Sequence, residues 1–415
     1  MRKPAIVAAL CLVASLFSAG SAWAEVTGPP VLNAPVFNDP TVGSDVAGTP
    51  STAQSAVMDQ LIRLIRAAQP GSEIRFVNHQ FSTGQRSTEV ADALIAAHGR
   101  GVAVKVILDS MENGANDAIV ARLSGVLGAA EGAASWIVRC EYPNESAVER
   151  GCIARDYLHS KFALFSGIVV DGVAHAKVVY QTSSNLSDWY LYNSYNDAYT
   201  FTDPAVYDGY AKYFDDLRAG RHRAVNPAYY WTTPTGSAHR ATFLPRSASG
   251  GDPVVNILKP IECSYQDAGV TRQTDIRLAL TAFNKNRLAI AKELVRLRGE
   301  NCWVDLVYYE DAAGATTKHV DDTIRAELAK TVNGRRIQVT PCRFRAGTQW
   351  VVPHTKLMMT DGFYDDDITP RVYTGSANFT HLENADDAQL RISGRDVHSR
   401  YLSFFYKIRD TCRSA

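Results

Sequence analysis

The chain has 415 residues, 46% of them hydrophobic and 21% charged, a balance ordinary for a folded protein of one large domain or two. Its 43 lysines and arginines equal its 43 aspartates and glutamates. No global positive field therefore draws in polyanions, which weighs against a dedicated nucleic-acid binder but leaves room for a local basic groove.

The first element in chain order is a leader. Met1, Arg2 and Lys3 form a short basic region, "PAIVAALCLVASLFSAG" an apolar one, and Ala22-Trp23-Ala24 an A-x-A cleavage site before Glu25. No later run approaches the roughly 20 apolar residues that span a bilayer. The expectation is a secreted, soluble protein without a transmembrane anchor, cleaved after Ala24. Six cysteines then remain: Cys140, Cys152, Cys263, Cys302, Cys342 and Cys412. An even number in an exported chain reads as disulfides, and the lack of C-x-x-C or close Cys/His pairs argues against a metal site.

After a Pro/Gly/Ser-rich lead, "AVMDQLIRLIRAA" has helical spacing, "SEIRFVNHQFS" reads as a strand and "TEVADALIAAHGRG" as a Gly-terminated helix. The strand "VAVKVILDS", the helix "NDAIVARLSGVLG", the strand "SWIVRCEY" and then "YLHSKFALFS" follow. Near residue 252 the order restarts. "DPVVNILKPIE" matches the first helix, "TDIRLALTAF" the strand and "LAIAKELVRLRGEN" the second helix. "CWVDLVYYED", "VDDTIRAELAKTVNG", "RIQVTPCRF" and "VPHTKLMMTDG" complete the cycle. Alternating strands and helices predict a layered α/β sheet in each half, and a repeat of about 195 residues predicts a duplicated domain. The seam falls in "LPRSASGGDP", giving a leader over 1–24 and lobes over 25–244 and 245–415. Of the 15 pairings that six cysteines allow, the duplication suggests Cys140 with Cys152, Cys342 with Cys302, and Cys263 with Cys412.

Both cycles end by placing His-x-Lys in an apolar run: His159 and Lys161, then His354 and Lys356. On a strand each pair points one way, and a buried lysine is costly unless paired. The following strands, "VYQTSSN" and "VYTGSAN", repeat Ser183 and Asn185 as Ser376 and Asn378, with Asp197 and Asp386/Asp387 downstream. A single buried His-x-Lys is more often a satisfied structural pair, and a lone S-x-N means little. Both, at matching places in both halves, point to one site shared across a pseudo-twofold. Two lysines and two amides suit a phosphoryl group, whose charge spreads over its oxygens. One histidine can attack phosphorus while the other protonates the leaving oxygen, each held in its tautomer by a downstream carboxylate. With the lysines supplying charge, neither metal nor cofactor is expected.

These residues resemble the phospholipase D superfamily, marked by a duplicated H-x-K-x4-D followed by G-S-x-N, over nearly the whole chain after the leader. The second copy matches fully, with His354, Lys356, Asp361, Gly375, Ser376 and Asn378. The first has Ser166 where the family has Asp, and Thr182 where it has Gly. The resemblance implies two α/β/α sandwich lobes, a metal-independent phosphodiesterase, and a phosphohistidine intermediate. By analogy His159 is the nucleophile and His354 the acid/base, with Ser166 and Asp361 in structural roles.

The substrate is less directly written. Export, the absence of net positive charge and a single chain carrying both halves lean toward a phospholipid at a membrane surface, cleaved by a monomer. So do the aromatics Trp189, Tyr190, Tyr192, Tyr195 and Tyr199 in "DWYLYNSYNDAY" and three more in "NPAYYWTTP", which could seat in a lipid interface. Such aromatics are more often core, and they stack nucleobases equally well, so a secreted nuclease is the alternative, followed by a non-catalytic lipid-binding protein. His79, ending a strand aimed at the cleft, is a candidate substrate contact, as is Trp189. His175, His319 and His381 read as loop or surface residues.

Overall fold

The computed structural model describes residues 25–415 apart from 46, 112, 141–150, 222–224 and 366, so the expected leader lies outside the described residues. The first half runs β1 (Ala34–Phe37), α1 (Thr52–Ala67), β2 (Glu73–Asn78), α2 (Gln85–Gly99), β3 (Ala103–Asp109), α3 (Asp117–Leu127) and β4 (Trp136–Cys140). It continues through β5 (Phe162–Val170), β6 (Val173–Thr182), β7 (Asp197–Thr202) and α4 (Pro204–Gly220). Helix α1 opens on a capping box: Ser51 Oγ accepts the Gln54 N–H while the Gln54 side chain accepts the Ser51 N–H. Helix α4 opens on Asp203 with Pro204 at its first position.

The second half runs β8 (Trp231–Thr232), β9 (His239–Phe243), α5 (Pro253–Leu258), β10 (Asp275–Leu280), α6 (Leu288–Gly299), β11 (Trp303–Tyr309), α7 (Asp322–Leu328) and β12 (Gln338–Cys342). Then come β13 (Leu357–Asp361), β14 (Arg371–Gly375), β15 (Ala388–Ser393) and α8 (Arg395–Ser414). Two large sheets result, in the orders β1-β7-β6-β5-β2-β3-β4 and β8-β9-β15-β14-β13-β10-β11-β12. Six strands, from β7 to β4 and from β15 to β12, follow the same order with the same mixture of parallel and antiparallel pairs. The expected α/β class is therefore met, and the two sheets share one topology over these six strands. Strands β8 and β9 precede residue 244, yet they extend the second sheet.

Burial explains the layering. One apolar cluster packs α1, α2 and α3 on the outer face of the first sheet, and a second packs α5, α6 and α7 on the outer face of the other. A third joins the inner faces of both sheets through α4 (Tyr210, Tyr213, Phe214) and α8 (Tyr401, Phe404, Phe405). The lobes thus share a core.

Two expected helices are shorter than their patterns. Helix α5 stops at Leu258 because Pro260 cannot continue it. Helix α7 stops at Leu328, and a small hairpin, Thr331–Val332 with Arg335–Arg336, takes up the rest of its pattern. Cys140–Cys152 forms as expected, but Cys263 pairs with Cys302 and Cys342 with Cys412. Cys342 lies beside Tyr309 in the sheet, seven residues along the strand direction from Cys302. That is about 23 Å, far beyond the reach of a disulfide. No helix among the described residues is long and apolar enough to cross a membrane.

Candidate active site

Neither His-x-Lys segment lies inside a strand, contrary to expectation. Residues 159–161 and 354–356 sit in breaks between a short strand and a long one. Each short strand pairs with the other lobe: Tyr157–Leu158 with Ala385–Asp386, and Val352–Pro353 with Ser194–Tyr195. The Asp386 carbonyl accepts the N–H groups of His159 (2.9 Å) and Ser160 (2.7 Å); the Tyr195 carbonyl accepts those of His354 (2.9 Å) and Thr355 (3.0 Å). The arrangement is reciprocal, so each lobe positions the other's histidine.

The side chains complete this crossing. His159 Nδ1 lies 2.9 Å from Asp387 Oδ1, and His354 Nδ1 lies 2.8 Å from Asn196 Oδ1. Each Nδ1 is thereby engaged by the opposite lobe, which leaves Nε2 as the ring nitrogen available for chemistry. Lys161 Nζ donates to the His159 carbonyl at 2.5 Å. Lys356 Nζ donates to the His354 carbonyl (2.5 Å) and Thr281 Oγ1 (3.2 Å), and stands 3.1 Å from His354 Nε2. The two sets sense each other electrostatically: Lys161 and His159 both act on His354, and Asp387 acts on both lysines.

Two of the three carboxylates expected to hold an imidazole do different work. Asp197 holds no imidazole; its carboxylate accepts from Thr355 (2.6 Å), Thr374 (2.5 Å) and Tyr401 (3.0 Å), tying the first lobe to the second. Asp386 accepts the N–H groups of Cys152 (2.6 Å) and Ala154 (2.7 Å), anchoring the disulfide-bearing loop. Ser183 and Ser376 clasp the next strand by accepting from Asp197 N–H (3.0 Å) and Ala388 N–H (3.1 Å). Ser166 accepts from the Glu73 N–H at 2.7 Å, and Asp361 pairs with Arg395, both away from the histidines. The first-copy Thr182 is accommodated because its hydroxyl bonds the Asp197 carbonyl (2.7 Å). Gly375 is required in the second copy, where φ is +134° and a Cβ would meet the Ala388 carbonyl at 2.4 Å.

The amides lie at the cleft. Asn185 Oδ1 accepts from the Gln80 N–H (3.3 Å), and Asn378 Oδ1 is buried with no hydrogen-bond partner. His79 stands edge-on to His159 with ring centroids 5.2 Å apart, its Nδ1 2.8 Å from the Leu158 carbonyl and 3.7 Å from Asp109. Trp189, on a short helix (Asp188–Tyr192), is 40% exposed with its ring 6.1 Å from His354; Tyr190 is closer, at 4.9 Å. The other expected cleft aromatics do not reach the site: Tyr195 and Tyr199 are core, and Tyr229 and Trp231 pack against it. His175 lies on β6 rather than in a loop. His319 stacks on Tyr309, and His381 meets Asn286 at the surface.

Burial pushes His159 down to about 3, helped by Lys161 and opposed by Asp387, and pushes His354 well below its ordinary 6.5, helped by Lys356. Burial also brings Lys161 down to about 7. Burial raises Asp387, yet its bond to His159 and the charge of Lys161 hold it below the usual carboxylate range, so it is ionised. Both imidazoles are accordingly neutral at pH 7. A folded pKa below the unfolded value gives stability that is complete above pH 6.5 and lost as pH falls, for His159 down to about pH 3. Asp386, raised to about 7 by burial, has the opposite sign, its contribution fading as pH climbs from 3.8 to 7. His354→Asn is therefore expected to flatten the acid loss of Tm below pH 6.5; an unchanged profile contradicts this.

The family described as "Cardiolipin synthase, PLD-like domain" matches residues 61–218. Phosphatidylserine synthase of Haemophilus influenzae Rd KW20 shares the fold at a TM-score of 0.54 and 12% identity, covering 92% of this chain and 87% of its own. Polyphosphate kinase of Porphyromonas gingivalis does so at 0.51 and 14%, over 84% of this chain, which spans 47% of that protein. No curated protein sequence matches. The chain thus carries a match to this domain over residues 61–218 and shares the fold of these two enzymes over most of its length.

Proposed function

We propose that the protein is an exported, metal-independent phosphodiesterase that cleaves phospholipid headgroups through a phosphohistidine. The observation that carries the reading is the crossed pair of buried histidines, each hydrogen-bonded at Nδ1 by the opposite lobe and flanked by a lysine. Lys161, Lys356, Asn185 and Asn378 would hold the phosphoryl oxygens. His159 Nε2 forms a bond to phosphorus as the bond to the leaving oxygen breaks, and His354 gives that oxygen its proton. The incoming phosphate anion offsets the lysine charges that depress His354, letting it carry this proton. Neutral again, His354 takes a proton from water or an alcohol, whose oxygen attacks phosphorus and frees His159.

Three features favour lipid. The family description and one fold neighbour are named for phospholipid synthases. The three disulfides suit an oxidising compartment. The cleft rim carries two exposed tryptophans, Trp189 and Trp350. Arg343 and Arg345 both stack on Trp350, at 3.9 and 4.8 Å, on the hairpin (Phe344–Ala346, Gln349–Pro353) that runs into His354. Amphipathic rings with adjacent cations fit an anionic bilayer surface, each cation contributing about 1 kcal/mol. Arg343→Gln with Arg345→Gln should therefore lower the rate on anionic vesicles about thirtyfold while sparing a soluble diester. Equal losses on both substrates contradict an interfacial role. The function itself is tested with phosphatidylcholine vesicles, excess EDTA and a primary alcohol. Phosphatidic acid and the phosphatidyl-alcohol are the expected products, whereas cleavage of DNA or RNA alone makes the protein a nuclease. One chain holds both halves, so a monomer suffices.

A further inference from the structure

A second cationic site lies on the other face of the second sheet. Arg240 on β9 and Arg391 on β15 are directly paired in register. Their neighbours Ala241, Leu390 and Ile392 face the core shared by the lobes, so the arginines face away from it. Like charges directly opposite in a sheet repel. Fully buried arginines elsewhere have carboxylates: Arg86 has Asp59 and Glu89, Arg287 has Asp252, and Arg371 has Asp367. Among the described residues, Arg240 and Arg391 have only neutral acceptors, Thr232 Oγ1 at 2.8 Å and the Ser237 carbonyl at 3.3 Å. The Nε atom of each is buried without a partner, an arrangement that is costly unless something supplies acceptors.

The space above them is a cavity of about 190 Å³, walled by Tyr230, Tyr364 and Tyr373 and by the amides of Asn256 and Gln389. Arg246 stacks on Tyr230 at 4.0 Å, adding a third cation nearby. No carboxylate lines it. We propose that this cavity binds a phosphate dianion, free or as the head of a small phosphate monoester, at a site separate from the histidines. Guanidinium forks match phosphate oxygens bidentately, and the tyrosine rings offer a wall for an organic remainder. Arg391 stands four residues beyond Asp387, about 13 Å along an extended chain, so the site is distinct from the proposed catalytic one and does not depend on that reading.

The test is calorimetric titration of the full, oxidised protein with inorganic phosphate and with phenyl phosphate. Wild type should bind two equivalents, one in the cleft and one in the cavity. Lys356→Met should weaken the first and keep the second. Arg391→Gln should lose the second, keep the first, and raise Tm without phosphate because the facing charges are relieved. Arg240→Gln gives the same reading should Arg391→Gln not fold. Tighter binding of phenyl phosphate to the cavity identifies an organic monoester, and equal affinity identifies free phosphate. Retention of both equivalents in the arginine variants, or a single equivalent in wild type that Lys356→Met abolishes, overturns the proposal.

Discussion

His159→Ala is expected to abolish turnover, by about 10⁴-fold or more, the scale on which removing a nucleophile acts. His354→Ala should differ in kind. With an activated leaving group such as p-nitrophenolate no acid is needed to expel it, so the first step survives. The second step lacks its base, and the covalent enzyme accumulates. A stoichiometric burst of nitrophenolate followed by near-zero steady state is the expected trace for His354→Ala, and no burst for His159→Ala. Reversed traces would exchange the two roles. Both variants should keep their fold, since the backbone bonds at these positions come from Asp386 and Tyr195 carbonyls and not from the imidazoles.

The second large effect comes from the unequal partners of the two imidazoles. A buried carboxylate at Nδ1 stabilises the positive charge that His159 acquires on attacking phosphorus, and Asp387 supplies it. The neutral Asn196 amide fixes the His354 tautomer without raising its basicity, which suits a group that must give up a proton. Asp387→Asn keeps an acceptor at the same place and removes the charge, so kcat should fall about 10²-fold or more with little change in KM. Asn196→Asp should raise the pKa of His354 and move the alkaline limb of the kcat profile to higher pH. A stability loss in Asp387→Asn without a change in kcat, or an unmoved limb in Asn196→Asp, would reduce these contacts to packing.

The sequence announced this site through repetition. His159 and His354, with Lys161 and Lys356, stood out because a costly pair recurs at matching places, and the succession of strands and helices before them followed from hydrophobic period. What stayed hidden depends on contacts between lobes. Asp197, Asp386 and Asp387 looked interchangeable as downstream carboxylates, yet only Asp387 is aligned with an imidazole. Asn196 went unseen because it lies thirteen residues after Ser183, while Asp387 lies eleven after Ser376. The short helix Asp188–Tyr192 lies in the longer of these intervals, so no fixed offset relates the two positions. Thr355 and Thr281 carried no signal at all, being ordinary residues that matter only where the strands end. The disulfides misled for a related reason: equivalence in the repeat says nothing about which end of a strand a cysteine occupies. The aromatic run after Asn185 was legible as a cluster, but which rings face the cleft is set by the turn into β7, leaving Trp189 and Tyr190 at the site and Tyr195 and Tyr199 in the core.

The central claim is a covalent phosphohistidine built by both lobes. It is tested most directly by mass spectrometry of the rapidly quenched His354→Ala protein, after reaction with an activated phosphodiester in excess EDTA. A single phosphoryl-ester adduct on the peptide containing His159, absent when His159→Ala is added, is the expected result. An adduct on another residue, or full turnover by His159→Ala, would contradict the crossed-histidine mechanism.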